Sequence, residues 1–114
     1  MPTKLEEDYG VIENKVVQLT VIIGQGHYGS STVKLNDENI FIGENIKDLD
    51  IGEGQDISGK TLSIRTKVTV TNPNTNLTSV SYVLKGGKED ETFDLEETAT
   101  NKTVDYSASF NLIN

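Results

Sequence analysis

The chain has 114 residues, the size of one domain, and Leu, Ile, Val and Phe supply 32 of them, enough to build a core. Eighteen acids against ten bases give a formal charge of −8, which argues against a phosphate-seeking surface unless bases are gathered locally. Cysteine is absent, which excludes disulfides, thiolate nucleophiles and cysteine-based zinc sites.

Ten Val, ten Ile and thirteen Thr stand against two Ala, a balance that favours strands, because branched side chains pack on a pleated surface and lose rotamers in helices. Residues 1–15 carry charge without periodicity and read as a polar N-terminal tail or edge strand, ahead of a single domain over residues 16–114. No basic start leads into an apolar region, so no secretory signal is expected and a cytoplasmic location is favoured. The longest apolar stretch, Leu19 to Ile23, is too short to cross a bilayer, so no membrane insertion is expected. The sequons Asn76-Leu-Thr78 and Asn101-Lys-Thr103 then read as chance.

Val16 to Ile23 is the first clear strand, with Val17, Leu19, Val21 and Ile23 on one face. The stretch 24–30, Gly-Gln-Gly-His-Tyr-Gly-Ser, breaks it. Short runs at Ser31–Leu35 and Ile40–Gly43 flank the turn-rich Asn36-Asp37-Glu38-Asn39. Ile46, Leu49, Ile51 and Ile57 are apolar anchors in an irregular region, with a short strand near 46–51 and a turn pinned by Ile57. From Thr61 to Thr71 the alternation is strict, Leu62, Ile64, Thr66, Val68 and Val70 against Ser63, Arg65, Lys67 and Thr69. Asn72-Pro73-Asn74 ends it. Val80, Tyr82 and Leu84 mark the next strand, Phe93 and Leu95 share a face of a short one, and Val104, Tyr106, Ala108, Phe110 and Leu112 form the buried side of the last. Seven or eight short strands with a turn every ten residues or so predict a two-sheet antiparallel β-sandwich, immunoglobulin-like or related. The predicted core is Val17, Leu19, Val21, Leu62, Ile64, Val68, Val70, Val80, Tyr82, Leu84, Val104, Tyr106, Phe110 and Leu112. The run Val68 to Leu84 also resembles the strand–Asn-Pro-Asn–strand signature of water-stress and hypersensitive-response (WHy) domains, which are β-sandwiches. The resemblance covers 17 residues and carries no function over.

Gly24-Gln25-Gly26-His27-Tyr28-Gly29 matches G-x-G-x-x-G. A dinucleotide site needs a helix behind it, whereas Ser30 to Leu35 reads as strand. A kinase-type loop needs a longer chain with H-R-D and D-F-G elements. The segment is expected to be a turn, with Gln25, His27 and Tyr28 as a candidate recognition tip and His27 on its surface. As the only histidine, His27 supports neither a histidine zinc site nor a catalytic triad. Asp48, Asp50, Glu53 and Asp56 are spaced as hard cations like, but the third acid of an EF-type loop is missing, so at most a weak calcium site is expected there and no resident metal or cofactor elsewhere. Glu89, Asp90, Glu91, Asp94, Glu96 and Glu97 form a candidate acidic contact for a basic protein partner. Arg65 and Lys67, with Lys60 and Lys85 expected near, lack exposed aromatics and make a poor nucleic-acid footprint. These features favour a non-enzymatic binding or assembly module, such as a small bacterial accessory or structural protein, with an unidentified protein partner. An acidic inhibitor or immunity-type protein and a weak calcium-dependent adhesion module are the alternatives.

Overall fold

In the computed structural model, which describes residues 3–114, the alternating segments become nine strands: β1 (Lys4–Gly10), β2 (Val16–Ile23), β3 (Tyr28–Leu35), β4 (Glu38–Gly43), β5 (Leu49–Glu53), β6 (Thr61–Thr69), β7 (Leu77–Lys85), β8 (Glu91–Thr98) and β9 (Thr103–Ile113). A single helical turn, α1 (Gly54–Ile57), lies between β5 and β6 and buries Ile57. Five strands form one sheet in the order β1-β9-β6-β3-β4 and four form the other in the order β5-β2-β7-β8. Among the described residues, no helix is long and apolar enough to cross a membrane.

The expected two-sheet sandwich is therefore present, with two differences. There is one strand more than expected, and one pairing is parallel. Residues 4–10 form a full edge strand, β1, which runs parallel to β9 with Lys4 opposite Ser107 and Gly10 opposite Ile113. Its last residue pairs anchor the sequence beyond it. Tyr9 and Val11 are buried, and the Tyr9 hydroxyl accepts from Gly87 N–H (3.0 Å) while donating to Glu89 O (2.7 Å). This close approach requires glycine at position 87, where a Cβ would lie 2.2 Å from Gly10 O and 2.6 Å from the Tyr9 ring.

Period 2 sets the core. In β6 the buried positions are Leu62, Ile64, Thr66 and Val68, and in β9 they are Val104, Tyr106, Ala108, Phe110 and Leu112. The rest of the predicted core is buried as well, except Val70, which lies past the end of β6 and packs only partly against the others. Two hydroxyl bridges join the sheets through this apolar interior. Thr66 Oγ1 lies 2.8 Å from Ser31 Oγ and 2.9 Å from Tyr82 OH, and Thr78 Oγ1 lies 2.6 Å from Tyr106 OH. Each of these buried polar atoms is thereby satisfied. Burial pushes the Tyr82 hydroxyl up to about 12, a rise that its bond to Thr66 partly offsets.

Candidate functional site

The glycine-rich segment closes as a tight turn in which His27 N–H reaches Gly24 O at 3.4 Å. Its two central residues both take positive φ, 62° at Gln25 and 72° at Gly26, as a type I′ turn demands. The turn does not connect a hairpin: it carries the chain from β2 in one sheet to β3 in the other. The Asn72-Pro73-Asn74 segment makes a second crossing, from β6 to β7, and the two crossings lie side by side. Gly24 N–H donates to Ser79 O (2.9 Å) and Asn72 Nδ2 donates to Gln25 O (2.9 Å).

His27 pins them together. Its Nε2 lies 2.9 Å from Leu77 O, a carbonyl that can only accept, so Nε2 carries the proton. Its Nδ1 then accepts from the N–H groups of both Thr71 and Asn72, each at 3.2 Å. The expectation of a surface histidine is corrected: only 8% of His27 is exposed. The reason is parity. The turn returns to extended backbone at His27, and Gly29, Ser31 and Val33, two residues apart, follow it into the interior. The proposed tip is thus divided, with Gln25 and Tyr28 exposed and His27 committed to the frame.

Beside this frame both sheets have an uncovered edge. β4 covers β3 only from Ser31 to Leu35, and β5 covers β2 only from Val16 to Leu19. Residues 28–30 and 20–23 therefore extend past their covering strands. The connection 44–48 crosses between the sheets here, held by Val21 N–H donating to Ile46 O (3.0 Å) and Asp48 N–H donating to Thr20 Oγ1 (3.0 Å). Asn45 and Asp48 sit in the left-handed region at φ 52° and 51°, which their side chains tolerate better than most. Between crossing and strand edges runs a groove of about 480 Å³, lined by Ile22, Ile23, Tyr28, Glu44, Asn45 and Lys47. Ile22 and Tyr28 are 51% and 47% exposed. The Glu44 carboxylate, as hydrogen-bond acceptor and nearby charge, holds the Tyr28 hydroxyl above the usual tyrosine pKa. Ile22 was missed from sequence, although its signal was there: it is an apolar residue on the face that Gln18 and Thr20 mark as wet.

The other candidates do not converge. Asp48 faces Thr20, Asp50 accepts from Gln18 Nε2 (2.9 Å), and Glu53 accepts from Gln55 Nε2 (3.1 Å). Among the described residues no three His, Cys, Asp or Glu are grouped to hold a metal ion. The acidic stretch divides between a turn and both faces of β8. Asp90 accepts from Gly86 N–H (3.4 Å), Glu91 and Glu97 are half-buried, and Asp94 and Glu96 point outward, with Asp94 bonded to Ser81. No family model, curated protein or solved structure shows significant similarity to the chain, so the geometry alone carries the functional argument.

Proposed function

We propose that the protein is a non-enzymatic binding module that takes an extended segment of a partner protein at the corner where β4 and β5 stop short of β3 and β2. One observation carries this reading: Ile22 and Tyr28, two large side chains with half their surface exposed, border a groove where β3 and β2 run past their covering strands, the β2 edge being taken in part by the Val21 N–H bond to Ile46 O. An uncovered edge offers main-chain donors and acceptors to an added strand, while apolar side chains beside it supply pockets and anchors. The His27 bonds make this corner a rigid frame, which lowers the ordering cost of docking. They also occupy both ring nitrogens, which supports a framework role over general-base chemistry. The charge of −8 would speed encounter with a basic partner. An inhibitor-type contact through β8 is the second reading, favoured by Asp94 and Glu96 facing outward on an edge strand.

A photoreactive phenylalanine analogue placed at position 28, at the apolar and still more exposed position 42, or at position 94 separates these readings in cells that produce the protein. Covalent capture of one partner from position 28, and little from 42, is expected. Capture from position 94 alone would overturn the corner reading in favour of the acidic edge.

A further inference from the structure

The two bases set aside as a poor nucleic-acid footprint have different neighbours from those expected. Lys85 lies in the opposite sheet and Lys60 precedes β6, whereas the register brings Lys4 of β1 to Ser107, which pairs with Arg65. On the outer face of the five-stranded sheet, Arg65 stands between Thr32 and Ser107, and Lys67 stands between Ser30 and Asp105. Side chains of very different length therefore alternate across this face. Ser30, Thr32 and Ser107 are short and form a floor, and Lys4, Arg65 and Lys67 rise around it, leaving a depression of about 420 Å³.

Three cations against one carboxylate, Asp105, meet here on a chain that carries −8 overall. Among the described residues no ion pair joins Lys4, Arg65 or Lys67 to an acid, so their charge remains available to a ligand. We infer that this depression binds a carboxylated sugar. The guanidinium fork of Arg65 matches a carboxylate, and the flanking ammonium groups add attraction. The hydroxyl floor both donates and accepts, so it can bond sugar hydroxyls in both directions, whereas a bare inorganic anion uses only its donors. The volume points the same way, being within the range of small-molecule sites and several times that of a single oxyanion. A nucleotide fits poorly, because Tyr106, the aromatic residue that lines the depression, turns its ring into the core toward Thr78 and presents no face for a base to stack on. Apart from Ser30, which lies at the end of the β3 segment that β4 leaves uncovered, this site shares no residue with the corner that Ile22 and Tyr28 border.

Amide chemical shifts of the labelled full chain, titrated with D-glucuronate, sodium sulfate and D-glucose at matched ionic strength, test the proposal. Glucuronate should saturate shifts at Ser30, Thr32, Arg65 and Ser107, sulfate should be at least tenfold weaker, and glucose should move nothing. Arg65→Gln and, separately, Lys67→Gln should each weaken glucuronate at least threefold while leaving the rest of the spectrum in place. Equal affinity for sulfate and glucuronate would overturn the sugar assignment. Shifts spread over Lys60, Lys85 and other surface lysines, or an Arg65→Gln variant that binds as the parent does, would overturn the site.

Discussion

Thr66 sits between Ser31 and Tyr82 with its one hydroxyl bonded to both, so its removal leaves two buried partners unsatisfied. Thr66→Val keeps the shape and should still cost about 2–3 kcal/mol in urea denaturation, since two buried partners lose their bond. Tyr82→Phe leaves Thr66 paired with Ser31 and should cost about 1 kcal/mol. Equal losses would contradict the bridge. Tyr82 also fixes an alkaline limit. Its hydroxyl titrates near 12 when folded against an ordinary 10.0, so between those values the unfolded chain has released a proton that the folded one retains. Stability from this group is intact below pH 10 and falls as pH rises toward 12. Chemical denaturation at pH 8, 10 and 11.5 should show the decline, and Tyr82→Phe should reduce it, the remainder coming from Tyr9 and Tyr106, whose hydroxyls burial also pushes up. At the corner, His27→Ala should cost about 2–3 kcal/mol because three bonds and a buried ring are lost. Tyr28→Ala should cost less than about 1 kcal/mol. A silent His27→Ala would contradict the pin.

Strands with a strict two-residue period were legible from the sequence: β2, β6, β7 and β9 lie where their alternation placed them. β1 was legible only as one of two alternatives, a polar tail or an edge strand, for a physical reason. In Lys4–Gly10 the apolar residues Leu5 and Tyr9 lie four apart with Glu7 between them, and the partner strand β9 is about a hundred positions away in sequence. Local pattern cannot report so distant a pairing. At the crossing 44–48 the sequence marked Ile46 as an apolar anchor, and it is buried, but its place between two sheets follows from no repeat around it. The structure makes β1 integral, with Tyr9 and Val11 in the core and the Tyr9 hydroxyl tied to the 87–89 turn. Deleting residues 1–11 should abolish cooperative thermal unfolding and collapse amide proton dispersion. A truncated chain that melts like the full one would make β1 a dispensable edge.

For the whole molecule, the sequence singled out two segments that build this corner but not how they join. The glycine-rich turn and the Asn-Pro-Asn turn each stood out separately, some forty-five residues apart, and only folding joins them, through one buried histidine. That contact converts a tip that seemed flexible into a rigid corner, leaving Ile22 and Tyr28 as the groups that remain outside. The direct test uses the immobilised full chain, exposed to an extract of the cells that produce it, with the captured protein quantified by mass spectrometry. The double variant Ile22→Ser, Tyr28→Ala should stay folded, with a melting temperature lowered by roughly ten degrees at most, and lose partner capture by roughly tenfold or more, as loss of interface anchors does. Asp94→Asn with Glu96→Gln should lose far less. Undiminished capture by the Ile22, Tyr28 variant would contradict the assignment of this corner as the binding site.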